Sequence, residues 1–190
     1  MKIKLLTFAA LLLTTLNVNA AGQTQEQGFV KYGMEFKGMY IQPVIMSEMA
    51  GMDHAAMGHE MPMNMDDMDH AIPEGADIHL ELRVEVTEDN PYSFKAGAWM
   101  PYLKVDYRIE KVGTKWFTSG SLMPMIANDG PHYGNNVKLN GVGKYSIKYR
   151  VTAPDLMLHM DKETAPSAWF KPFMVSWDLT YLGIGKKGGY

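Results

Sequence analysis

The most regular pattern in the chain is the alternation from Ala76 to Val86. Ile78, Leu80, Leu82, Val84 and Val86 fall on one side, and His79, Glu81, Arg83 and Glu85 on the other. Period two over this length predicts a half-buried β-strand with its apolar side on a core and its polar side facing out. The pattern recurs over 99–109, with Leu103, Val105, Tyr107 and Ile109 inward. It recurs again over 144–151, and over 173–181, where Phe173, Val175, Trp177, Leu179 and Tyr181 share a side. Shorter β-rich text lies at 29–32, 39–44 and 116–118, the last beside a Gly-Ser bend. Pro43 cannot donate to a ladder, which suits an edge position or a strand end. Glu88-Asp89-Asn90-Pro91 predicts a turn. No stretch reads as an amphipathic helix of three turns, and 152–172 reads as an irregular crossover. Repeated short alternating strands with Gly/Pro turns predict an all-β antiparallel sandwich.

Composition narrows the class. Residues 1–20 read as a secretory signal peptide. Lys2 and Lys4 form its positive end, Leu5 to Leu16 its apolar core, and Val18-Asn19-Ala20 the small-residue cleavage site. The mature chain, 21–190, has the length of a single domain. No other stretch approaches membrane-span length, so the expected product is exported and not membrane-spanning. The chain has no Cys, which removes disulfides, thiolate metal sites, Cys nucleophiles and the blue-copper centre. The formal net charge of -3, with no basic run, gives no footprint for nucleic acid.

Methionine is the conspicuous excess, at 17 residues. Much of it falls in 46–75, where Met46, Met49, Met52, Met57, Met61, Met63, Met65 and Met68 are interleaved with His54, His59, His70 and several Asp. This stretch has no aromatic residue and little to build a core with, so it predicts a long Met/His-rich loop inserted in the sandwich. Thioether and imidazole together suit soft or borderline ions, copper above all. His54, His59, His70, Met57, Met61, Met63 and Met65 are thus accessory metal candidates, with Cu(I) as the ion. The alternative is a flexible Met-rich segment packing on the body or on a partner.

Outside the loop, His79 and Glu81 point the same way from one strand, an imidazole and a carboxylate that make half of a metal site. Met123-Pro124-Met125 precedes Asp129-Gly130-Pro131-His132-Tyr133-Gly134, where Asp-Gly-Pro predicts a tight turn presenting His132 from a loop. His159 lies in the crossover, before Asp161-Lys162-Glu163-Thr164. Each feature alone has an ordinary reading: a surface or capping His, a core Met.

Together these stretches, with Tyr40-Ile41-Gln42-Pro43-Val44 and Ala76-Asp77-Ile78-His79-Leu80-Glu81, resemble the bacterial periplasmic high-affinity iron-transport proteins. Those are copper- and iron-binding partners of an inner-membrane ferrous-iron permease. The likeness extends over about 28–182. It implies an immunoglobulin-like sandwich, a homodimer, and a site near the dimer interface that takes Cu2+ and iron (Fe2+ or Fe3+). Carried over, the ligands are His79, Met125, His132 and His159 with Glu81 beside them, and His159 is the candidate for donation across the dimer. The Met/His-rich loop exceeds the family pattern and keeps a second physiology open, that of a copper chaperone or copper-resistance protein. No Ser-His-Asp set or carboxylate pair marks an enzyme.

Overall fold

The alternating stretches become strands of one continuous antiparallel system in a computed structural model that describes residues 27–46 and 75–183. In chain order these are β1 (Gln27–Lys31), β2 (Met34–Ile41), β3 (Ile78–Val86), β4 (Lys104–Lys111), β5 (Phe117–Ala127), β6 (Gly130–Val137), β7 (Gly143–Thr152) and β8 (Phe173–Tyr181). Spatially they run β1-β2-β3-β6-β5-β4-β7-β8. No helix occurs among the described residues.

Strand β5 belongs to both layers of the sandwich. Its first half, Phe117 to Leu122, pairs with β4, and its second half, Met123 to Ala127, pairs with β6. The neighbours Leu122 and Met123 therefore lie in different sheets, opposite Val105 and Gly134. Sequence reading expected a short strand over 116–118 and a bend at Gly120-Ser121. Instead the strand continues, because Ser121 Oγ donates to Asp106 Oδ1 at 2.7 Å and Gly120 pairs with Tyr107. The expected strand over 99–109 is shorter than its alternation. Trp99 makes a single bridge to Glu85, Tyr102 takes φ 60°, and regular pairing begins at Lys104. The Tyr133 hydroxyl holds the stretch between, accepting from Leu103 N at 2.9 Å and donating to Met100 O at 2.6 Å.

The core is the sum of the inward sets. Leu80, Leu82 and Val84 of β3 are fully buried with Phe36, Ile109, Tyr145 and Val151. Burying one such aliphatic side chain stabilises by roughly 1.5–3 kcal/mol, so the inward face of β3 alone fixes its register. The far ends of the two sheets meet as well. Phe36 packs edge-on to Phe173 with centroids 5.4 Å apart, and Tyr40 Oη donates to Thr180 O at 2.8 Å. Between them a Cβ on Gly38 would lie 3.1 Å from the Trp177 ring, so a bare backbone is what lets the indole in. The predicted signal segment 1–20, the accessory candidates His54, Met57, His59, Met61, Met63, Met65 and His70, and the end of the tail lie outside the described residues.

Candidate metal centre

The outward side of β3 is where the structure departs most from a half-buried strand. His79 and Glu81 do face away from the core, but they are buried, at 1% and 4% exposure. The sheet register gives the reason. His79 lies opposite Asn136 of β6, Glu81 opposite Gly134, and His132 of β6 opposite Met125 of β5. Three adjacent strands thus aim their outward residues at one spot. His132 sits inside β6 and is itself buried at 2%, whereas the sequence expected a loop. The turn signal was right about the reversal, which lies between Ala127 and Gly130, but Pro131 and His132 continue as strand once they pair with Ile126 and Met125.

Potential ligand atoms of His79, Glu81 and His132 lie within 4.8 Å of one another. Nε2 of His79 and Nε2 of His132 each stand 3.9 Å from Glu81 Oε1. That is too far for a hydrogen bond. It suits two donors sharing one ion, since atoms each about 2.1 Å from a metal are roughly 3.0–4.2 Å apart over the accessible angles. Gly134 permits the close approach of these side chains: a Cβ there would lie 2.7 Å from His79 Nε2 and 3.1 Å from Met125 Sδ. The half-buried thioether of Met125 therefore borders the same cluster. Two polar atoms of the cluster, Glu81 Oε2 and His132 Nε2, are buried without any hydrogen-bond partner. Each such atom costs roughly 1–3 kcal/mol in a folded protein, a cost that a bound cation would offset. Two imidazoles, a carboxylate and a thioether form a donor set of mixed hardness that fits copper or iron.

Burial acts on the two donors of β3 in opposite senses, favouring the neutral, metal-ready imidazole of His79 and opposing the carboxylate form of Glu81. Burial lowers the pKa of His79, reinforced by the nearby His132 and opposed by the bond to Asn136. Burial raises the pKa of Glu81, with His132 and Arg83 pulling it down and Asp129 pushing it up. Arg83 Nη2 lies 3.9 Å from Glu81 Oε2 and pairs closely with Asp129 on the β5–β6 turn. In the metal-free protein the stabilisation from neutral His79 is present above the ordinary imidazole value of about 6.5 and is lost as pH falls through its lowered pKa. That from Glu81 is present below about 4.3 and is lost as pH rises through its raised pKa. His79 is accordingly expected to titrate below 6.5 when the imidazoles of the metal-free protein are followed by NMR. A midpoint at or above 6.5 would contradict the burial argument.

His159 does not join this group within one chain. It is exposed in the crossover after β7, where its Nδ1 meets Thr164 Oγ1 at 2.8 Å. Leu156, Met157 and Met160 around it are exposed too, Met157 fully and Met160 at 89%. Sequence reading missed Arg83, Asp129, Gly134 and Asn136 as parts of the site. Counting by two from His132 would have found Gly134 and Asn136, had 130–137 been recognised as strand.

A cysteine-free sandwich with a buried His/Glu/His cluster on its outer face, bordered by a thioether, defines a class of metal-handling β-proteins. The comparisons carry this further. The family model described as Fe2+ transport protein matches residues 18–183, and the chain belongs to that family. A UPF0423 protein of Brucella abortus is 39% identical over 164 residues, 83% of this chain and 80% of the relative. The 34 kDa membrane antigen of Treponema pallidum is 32% identical over 148 residues, 74% of this chain and 64% of the antigen. Among solved structures, FetP of uropathogenic Escherichia coli, as isolated, superposes with a TM-score of 0.67 at 34% identity, covering 84% of this chain and 95% of FetP. Copper-reconstituted P19 of Campylobacter jejuni has a TM-score of 0.67 at 34% identity, covering 82% of this chain and 93% of P19.

Proposed function

We propose that this chain is a periplasmic metal-binding protein of high-affinity iron uptake. It is cleaved after a signal peptide at 1–20 and serves an inner-membrane iron permease without itself catalysing a reaction. The site takes Cu2+ and iron through His79, Glu81, Met125 and His132, and His159 of a second subunit completes it in a homodimer. The observation that carries this reading is the buried His79–Glu81–His132 cluster with two ligand atoms lacking any hydrogen-bond partner. Membership of an Fe2+ transport family supports the iron-uptake role, and the copper-reconstituted state of P19 supports copper as an ion. The exposed Leu156, Met157 and Met160 beside His159 support the dimer, since an apolar rim needs a partner to cover it.

A copper chaperone or copper-resistance protein is the second reading. It is favoured by the run of thioethers and imidazoles between Met46 and His70, which suits Cu(I). Paired titrations with Cu(II) and with iron test the first reading. One ion per subunit is expected for each metal. Glu81→Gln, which keeps the shape and removes the hard anionic oxygen, should weaken iron more than copper. Failure of the purified protein to bind either ion would overturn the reading, and equal losses for both ions in the variant would reject the role given to Glu81.

A further inference from the structure

Three successive outward positions of β6 face the cluster: His132, Gly134 and Asn136. The first offers a ring nitrogen and the second leaves space. The third has no assigned part, yet its bonds reach far along the chain. Asn136 Nδ2 donates to Val44 O at 2.7 Å, Val44 N donates to Asn136 Oδ1 at 3.2 Å, and Asn136 Oδ1 lies 3.0 Å from His79 Nδ1.

These contacts settle two assignments at once. A backbone carbonyl only accepts and a backbone N–H only donates, so the Val44 peptide dictates which end of the Asn136 amide is oxygen. With oxygen toward His79, the imidazole nitrogen facing it must carry the proton. A neutral ring protonated at Nδ1 leaves its lone pair on Nε2, the nitrogen that faces Glu81 and the space above Gly134. The order of dependence runs from backbone to amide to ring. It does not rely on the ring finding the correct tautomer by itself.

We propose that Asn136 is a positioning residue of the metal centre, fixing the His79 imidazole in the Nδ1–H tautomer by an amide whose own orientation is set by the Val44 peptide. The inference deepens the proposed function and rests on His79 being a ligand through Nε2. It also explains an asparagine at an interior position of a strand, where its intrinsic preference is poor. Because Val44 and His79 flank the Met/His-rich stretch, one amide ties together the two points where the chain leaves and re-enters the sheet.

The tautomer can be read without metal. In the metal-free full chain, 15N shifts of the His79 ring should show a proton on Nδ1, and Asn136→Ala should give a mixture of tautomers. Copper is the second probe. Asn136→Ala should bind Cu(II) about 10- to 100-fold more weakly, with an altered EPR signature, as expected when the partner of a ligand ring is removed. Asn136→Asp keeps an acceptor for the ring N–H, replaces the donor to Val44 O with an oxygen and adds a negative charge that strengthens the hold on an Nδ1–H. It should restore most of the affinity and the native EPR signature. A proton on Nε2 in the unaltered chain overturns the proposal, whatever the variants do. It is overturned as well if Asn136→Ala keeps native affinity and spectrum, or if Asn136→Asp is as weak as Asn136→Ala, which would make Asn136 an anchor for Val44 alone. Absence of copper binding by a chain that shows the Nδ1–H tautomer would sink the metal reading and, with it, the positioning role.

Discussion

Gly134→Ala is expected to weaken copper binding by roughly 5- to 150-fold while leaving the sandwich folded, the equivalent of about 1–3 kcal/mol for overpacking a closely filled site. The backbone does not resist the change, since Gly134 is not among the glycines with positive φ. Alanine in a strand is favoured over glycine by about 0.5–1 kcal/mol, so the substitution has a stabilising component of its own. The new methyl would nonetheless lie 2.7 Å from His79 Nε2 and 3.1 Å from Met125 Sδ. The fully buried ring has to yield, and it cannot do so without stretching its bond to Asn136. The strain falls on the metal-free fold too, offset in part by the preference of a strand for alanine. Competition titration would report the loss of binding, and thermal melting of the metal-free variant would show a modest drop with the cooperative transition kept. Native copper affinity in Gly134→Ala would show that the space above this residue is not where the ion sits.

His132→Ala is expected to cost at least tenfold in Cu(II) affinity, about 1.4 kcal/mol, the loss of one ligand. The effect on the metal-free fold should be small for a reason specific to this site. The imidazole fills buried volume, so truncation leaves a cavity, but it also removes Nε2, which is buried without a hydrogen-bond partner. Cavity formation destabilises, and deletion of an unsatisfied polar atom worth roughly 1–3 kcal/mol acts in the opposite direction. A melting temperature near that of the unaltered protein together with weakened copper binding is the expected pair. Unchanged copper affinity would remove His132 from the ligand set.

What could be read from the chain beforehand divides along a physical line. Alternation exposed the inward sets of β3, β7 and β8, because a period of two depends only on local sequence and a single buried face. It also put His79 and Glu81 on one side of one strand. It could not show that this side is buried, since that depends on Met125, His132 and Asn136 arriving from strands paired at long range. The loop assigned to His132 failed for a related reason. Asp-Gly-Pro is a strong turn signal, but the hairpin needed only Asn128 and Asp129 between its strands, and pairing absorbed the rest. Gly120-Ser121 misled in the same way: glycine and serine break a strand in isolation, and here the ladder to Tyr107 and Asp106 holds them extended. Arg83 looked like an ordinary exposed cation, and only its approach to both Glu81 and Asp129 links it to the site.

The register of β2 against β3 has a consequence for how this protein can change over evolutionary time. Ile41 lies opposite His79 and Tyr40 opposite Leu80, so the sheet itself closes the long connection between those strands at the edge of the metal centre. For a flexible connection the entropy of ring closure grows only logarithmically, by about 0.6 kcal/mol for each doubling of length. Insertions there load the fold lightly, while His79, Glu81, Met125 and His132 keep their spacing because they lie on β3, β5 and β6. The buried cluster and the connecting segment can therefore change independently, and a soft-metal-binding sequence in the connection carries little penalty in stability.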